Sequence, residues 1–409
     1  LHSTCINMPD IASHNGIDVG NIASINGQDV PSGGSGITAN AIANSGVQDL
    51  STGTIVNNPG VTDNFAIGPA TSHTFSKIAI TKNYSQAFAI KSSGQLWYWA
   101  TQSDQWNSSV FTTDATWRQY GSDTDWTDIT AGDGQFGAVK GGDMMFIGYG
   151  GNRQRGDGST SSLDDWTVTN SALTWSKVSM GQQMTVGITT GGHAYTTGYG
   201  YDYMTGQGST STISTFTREK NNLTNITQAV VGRRCSIYLN SDGDVYFTGN
   251  NTYNMAGPEI TSTSDVNGPT LSSSSSDRVI SVLGLPSYFG TCHIDSDSYL
   301  RHCGFGSYHM RPDDSNTASQ GSNSMRRLDS AGTGWTFFSA QNWGDTSSTE
   351  QSCIGIQSGA LKFGGEGSKA FKSALGLAVD DTWETIKSSG VTSAAIDPTD
   401  ASAQLIIWS

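Results

Sequence analysis

Apolar and polar residues alternate in short bursts along most of this chain, and the bursts recur. Residues 75–100, 126–150, 175–200 and 226–251 can be laid over one another, each opening on an aromatic or aliphatic residue: Phe75, Trp126, Trp175 and Ile226. Within each copy an alternating strand leads to a Gly or turn and then to a short, more apolar strand. A tight turn follows, of the Ser241-Asp242-Gly243-Asp244 kind, in which Asp-Gly supplies the positive φ of a two-residue hairpin. An aromatic strand such as Val245-Tyr246-Phe247 then closes on a Gly-rich loop, at 148–152, 198–202, 249–253 and 304–308. Two more copies begin at Val279 and Trp335, and a truncated one runs from Trp383 to the C-terminus. The period, about 50 residues, is that of propeller blades.

The register settles one motif. Arg155-Gly156-Asp157 would suggest a receptor ligand in a secreted protein. It occupies the slot that Thr205-Gly206-Gln207 fills one copy later, so its glycine serves a turn needed in every repeat.

Ahead of the repeats lies a different pattern. Residues 11–19 (IASHNGIDV) are almost duplicated at 22–30 (IASINGQDV). Asn15-Gly16 and Asn26-Gly27, the strongest short hairpin signal, are flanked by Ile11, Ile17, Val19, Ile22, Ile25 and Val30. Hairpins this small cannot bury a core alone, so these ten residues are the expected partner-binding anchor. From Pro31 to about Asp63 the chain is rich in Gly, Ser, Asn and Ala and almost uncharged, which reads as an extended tether. The division is an anchor over 1–34, a linker over 35–74 and a repeat domain over 75–409.

Composition narrows the function. The 409 residues include 50 Gly but only 14% charged residues, and 35 acidic against 21 basic side chains leave a net charge of −14. That balance opposes phosphate backbones, so nucleic acid is not an expected partner. No apolar run approaches the roughly 18 residues of a membrane span, and the start at Leu1-His2-Ser3 lacks the charged and apolar regions of a signal peptide. Five scattered cysteines read as free thiols.

Candidate chemistry is sparse. Cys292-His293 and His302-Cys303 invite a zinc reading, but the repeat register makes them the arms of a hairpin turning near Asp297-Ser298. Neighbouring side chains on a strand face opposite ways, so half the set at most could meet one metal; a Cys292 to Cys303 cross-strand pair or disulfide is the stronger reading. Asp295, Asp297, Asp313 and Asp314 read as turn tips rather than calcium ligands. Asn-x-Ser/Thr triplets at Asn83, Asn107 and Asn225 carry no meaning without a secretory context. No triad order, carboxylate pair or phosphate loop stands out, so no catalytic residue, metal or cofactor is expected.

The repeat core, with a "DGxVYxxGxN" stretch and an "xxGQxG" loop, resembles the regulator of chromosome condensation family, through residues 241–251 and 198–209 above all. The resemblance spans about 75–409. It implies an all-β fold: a seven-bladed β-propeller with an extended, hairpin-containing N-terminal segment. Blades would begin near Trp126, Trp175, Ile226, Val279, Trp335 and Trp383, and a strand within 64–74 would complete the last. Members of that family include an exchange factor that binds chromatin, light sensors with clustered tryptophans, and secreted inhibitors. Chromatin binding conflicts with the charge. Trp117, Trp126, Trp166, Trp175, Trp335 and Trp383 mostly mark blade starts or loop ends, where packing between blades explains them.

The motif IASINGQDV, residues 22–30, resembles short repeats of tailed-bacteriophage structural proteins. With that resemblance the chain reads as a non-enzymatic virion component, a capsid decoration, tail or fibre protein. Its partners would be capsid or tail subunits, further copies of itself and a host-surface ligand. A secreted bacterial propeller that binds or inhibits a protein is the alternative.

Overall fold

The computed structural model describes residues 75–80, 86–100, 111–113, 117–232, 234–273, 279–282, 290–304, 322–327, 331–341, 352–364, 383–387, 393–396 and 404–408, and before them only 13–14, 17–18, 24–25, 28–29, 46–49 and 54–56. Among these residues the strands that follow the hairpins form seven four-stranded sheets, and the helical content is one 3-10 turn, Tyr201–Tyr203. Six sheets are antiparallel meanders in chain order, beginning at Phe75, Trp126, Trp175, Ile226, Val279 and Trp335. Five of these starts are the predicted ones after the first repeat.

The sheets pack face to face. The first strand of each of the first four lies against that of the next, from Phe75–Ile80 through Trp126–Ala131, Trp175–Met180 and Ile226–Val231 to Val279–Val282. Gly290–Asp295 then touches Trp335–Gln341, Ser352–Gln357 touches Ser393–Ile396, and Ser393–Ile396 returns to Phe75–Ile80. This is the architecture of a propeller. Second strands are covered by a sheet on either side, which is why Met184–Thr189 and Cys235–Asn240 are buried at every position and lose the alternation that first strands keep.

The core is a series of clusters between sheets rather than one centre. Val139, Met144 and Phe146 of the second sheet pack with Trp175, Val178 and Met180 of the third. Met184, Val186 and Ile188 of the third pack with Ile226, Val231 and Tyr238 of the fourth. Phe88 and Trp126 help join the first sheet to the second in the same way. Each of the six opening strands carries a register shift directly after its first residue, as between Trp126 and Asp128 or Trp175 and Lys177. The shift turns that first residue toward the preceding sheet, where its N–H finds the hairpin turn: Trp126 to Gly94 at 3.1 Å, Trp175 to Gly142 at 2.8 Å, Ile226 to Gly192 at 2.9 Å and Trp335 to Ser298 at 2.9 Å.

One expectation is corrected. Trp383 does not open the last blade: Glu384–Lys387 pairs with Ala360–Gly364 as the outer strand of the sixth sheet, and Trp383 stacks on Phe338 and meets Trp335 edge-on. A tryptophan before an alternating strand marks an outer strand here, so the seventh sheet begins at Ser393. Residues 64–74, the expected source of its completing strand, lie outside the described residues. Among the described residues the sheet is completed by Gly46–Asp49, parallel to Gln404–Trp408, and Thr54–Val56 beyond it. The linker therefore contains half of the closing sheet.

Both Asn-Gly hairpins form with two-residue loops: His14 opposes Ile17, and Ile25 opposes Gln28. Deleting residues 1–34 should thus leave the thermal midpoint within about 2 °C of the full chain, while deleting 1–64 removes two of the closing sheet's four strands and should lower it by roughly 5–10 °C. Differential scanning calorimetry of the two truncations checks this, and equal midpoints would contradict the strand assignment.

Candidate functional site

The most exposed large apolar side chains of the described residues include Tyr149, Tyr199 and Tyr201, at 43%, 39% and 50% exposure, and all three sit on loops joining third to fourth strands. The loops start alike. Gly148, Gly198 and Gly249 end their strands at φ of 101°, 115° and 119°, where a Cβ would collide with the carbonyl oxygen of Gly134, Gln183 or Arg234 in the adjoining turn. The next N–H donates to that same carbonyl, from Tyr149 at 3.0 Å, Tyr199 at 2.9 Å and Asn250 at 2.9 Å. Tyr149 and Tyr199 are consequently held in equivalent places one sheet apart.

Each loop then curls back onto the following sheet. Thr185 Oγ1 donates to the Gln154 carbonyl at 2.7 Å, Ser236 Oγ to Met204 at 2.8 Å and Thr291 Oγ1 to Met255 at 3.1 Å. From the third strands Thr197 Oγ1 reaches the Arg153 carbonyl and Thr248 Oγ1 the Tyr203 carbonyl, both at 3.0 Å. Cys303 Sγ donates to Met255 at 3.1 Å. Buried loop carbonyls are thereby satisfied across the interface between sheets.

Several charged groups on this face are paired within it. Arg155 is buried, ion-paired to Asp157 and bonded to the Ser161 carbonyl at 2.6 Å. The Arg-Gly-Asp tripeptide is therefore closed on itself, as the repeat register implied. Arg234 pairs with Asp202 and lies 4.6 Å from the centre of the Tyr201 ring, which runs parallel to Tyr199 with centroids 6.1 Å apart. Burial pushes the Asp202 carboxyl up from its ordinary range and Arg234 opposes the shift. Asp133 accepts from Gln182 at 3.1 Å and Asp265 from Asn250 at 3.1 Å. Around the rim, residues 160–162, 210–212 and 261–264 are exposed serines and threonines.

The predicted chemistry sorts by register. Cys292 stands opposite His302 and Cys303 opposite Thr291, so Cys292 and Cys303 face opposite sides of the sheet. The cross-strand disulfide is thus corrected: the two cysteines are not joined to each other, and the four candidate zinc ligands are split between two faces. Burial pushes the Cys303 thiol up to about 12. Asp295 caps its turn, accepting from the N–H groups of Asp297 and Tyr299 at 3.0 Å and from Arg301 Nε at 3.1 Å. Asn225, at φ 58°, is a turn residue whose carbonyl accepts from the Ser241 N–H at 2.9 Å. Asp313, Asp314, Asn83 and Asn107 lie outside the described residues. Trp117, Trp126, Trp166, Trp175 and Trp335 are buried.

Of the anchor residues, Ile17 and Ile25 lie on the described hairpin strands, while Ile11, Asn15, Gly16, Val19, Ile22, Asn26, Gly27 and Val30 lie outside the described residues. The tyrosine face was missed by reading the sequence for catalytic and metal-binding sets. Its signal was present in the equivalent Gly-Tyr-Gly of 148–150 and 198–200.

No family model and no curated protein matches the sequence. Solved structures do match the fold. Human WBSCR16 superposes with a TM-score of 0.65 at 15% identity, over 85% of this chain and 92% of that one. Prp20p of Saccharomyces cerevisiae gives 0.63 at 12% identity, over 90% and 92%. Yeast RCC1 (Prp20) bound to Kap60 gives 0.61 at 11% identity, over 81% and 79%. The class defined by fold and sheet order is the all-β propeller. Within that class the fold is of the RCC1 type.

His293 supplies a pH test. It is fully buried, its ring nitrogens find no hydrogen-bond partner among the described residues, and burial with the facing Arg301 lowers its pKa from near 6.5 to about 3. The fold accepts only the neutral ring, so its contribution is intact above about pH 6.5 and is lost as the pH falls toward 3, where the unfolded chain binds the proton first. Thermal midpoints measured from pH 7 to 4 should fall less steeply for His293→Leu than for the native chain. Identical slopes would place the acid sensitivity elsewhere.

Proposed function

We propose that this chain is a non-enzymatic binding propeller that serves as a structural protein of a phage virion, as a capsid decoration, tail or fibre component. The N-terminal hairpins hold it to capsid or tail subunits, and the ring displays its loop face outward. The observation that carries the reading is the placement of the anchor. Two Asn-Gly hairpins precede strands that belong to the closing sheet, and the second hairpin lies beside Thr54–Val56.

The solved relatives support a binding role for such rings: Prp20p is described with binding properties toward Gsp1p and histones, and yeast RCC1 in complex with Kap60. DNA is the wrong partner at a net charge of −14. The non-enzymatic reading rests on how the reactive groups are used. Cys235 and Cys303 are buried thiols with raised pKa, and Asp295 is held by its turn and Arg301. The secreted-inhibitor alternative would place the partner on the loops and leave the hairpins without a task.

Particles purified from the source system test this. The full chain should be found in them, and a chain lacking residues 1–34 should be folded yet fall below about one tenth of the native occupancy. Native occupancy of the truncated chain, or absence of the full chain from particles, would overturn the reading.

A further inference from the structure

The loop face repeats a subsite. Tyr149 and Tyr199 occupy the same position on adjacent sheets, fixed by the same glycine and the same N–H to carbonyl bond. In the second sheet Gly151 leaves room for the Tyr149 ring, whose hydroxyl and ring edge would collide with a Cβ there. In the third sheet the corresponding residue is Tyr201, which lies parallel to Tyr199 and widens the platform. Tyrosines held this way expose aromatic area at little entropic cost on binding.

Two features decide what such a platform fits. The first is charge: Arg155, Arg234, Asp133, Asp157, Asp202 and Asp265 are each already bonded within the face. A charged ligand would have to break these bonds, whereas an uncharged one leaves them in place. The second is repetition. A polymer of identical units presents the same contact at regular intervals, which matches a tyrosine subsite repeated from one sheet to the next. We propose that the tyrosine face of the second and third sheets binds a neutral polysaccharide, with sugar rings laid on Tyr149 and on the Tyr199–Tyr201 pair. The C–H edges of a pyranose ring carry the slight positive charge that the negative face of a tyrosine attracts. The exposed Ser and Thr hydroxyls at 160–162 and 210–212 are placed to bond sugar hydroxyls. This inference rests on the reading that the ring displays this face outward, and it names the class of host-surface ligand.

Affinity electrophoresis of the full chain through gels containing dextran, laminarin or yeast mannan, with heparin as the charged control, tests it. Retardation is expected in at least one neutral gel and not with heparin. It should weaken at least tenfold in the Tyr199→Ala, Tyr201→Ala double variant and measurably in Tyr149→Ala. Val168→Ala, a change at an exposed residue of the second sheet's outer strand, should leave it unaltered. Affinity for oligomers of the retained sugar should rise with length as the second subsite fills. No retardation in any neutral gel, retention by heparin alone, or retardation indifferent to the tyrosine changes would each overturn the proposal. Loss of sugar binding with particle occupancy intact would leave the anchoring role standing, so the two readings fail separately.

Discussion

A side-chain hydroxyl on one sheet bonded to a loop carbonyl on the sheet before it is the contact on which the middle of this ring, from the second sheet to the fifth, depends. Thr185, Ser236 and Thr291 occupy the second position of consecutive second strands and donate to Gln154, Met204 and Met255. A loop folded against the next sheet would otherwise bury carbonyls without partners, at about 1–3 kcal/mol for each. The clasp lets the loop fill the interface, so loop shape and sheet packing are one system. Thr197 and Thr248 add a second bond to the same loops, which fixes each loop at two points.

Rigidity of the display face follows from this. Residues Arg153, Tyr203 and Asn254 adopt left-handed backbone angles near 60°, and each belongs to a loop clasped by the following sheet. Because the backbone under Tyr149, Tyr199 and Tyr201 is set by contacts repeated from sheet to sheet, these side chains are presented in register. The inner strands are tied in parallel fashion: Lys77 reaches Asp128, whose other carboxylate oxygen accepts the Val178 N–H at 2.8 Å. Three consecutive sheets are thus linked through one carboxylate.

Much of this was readable in the sequence where a residue's job is local. The period, the strand starts at Trp126, Trp175, Ile226, Val279 and Trp335, and the two Asn-Gly hairpins each rest on neighbours within a few positions. Outer strands were harder to see. Leu163–Asn170 (LDDWTVTN) faces solvent on one side and is bulged, so its alternation is broken. The strands at 46–49 and 54–56 were not read from the sequence because Gly46–Asp49 is short and polar and acquires its identity from pairing with Gln404–Trp408, more than 350 positions away along the chain. Trp383 misled for a similar reason, since its burial comes from Trp335 and Phe338 rather than from a new blade. The Cys292 and Cys303 pairing failed by a single residue of register. The hydroxyl clasps recur in one column of the repeat but look like ordinary strand residues until the preceding loop is seen beside them.

The clasp is tested most directly by hydrogen–deuterium exchange on the Ser236→Ala variant of the full chain. The account predicts roughly tenfold faster exchange both at 235–240 and in the preceding sheet's loop at 201–206, because one removed hydroxyl frees a carbonyl on the other side of the interface. Protection in the second sheet, at 135–148, should be unchanged. Faster exchange confined to 235–240, with the 201–206 loop as protected as in the native chain, would show that the loop holds its shape without its neighbour and would contradict the account.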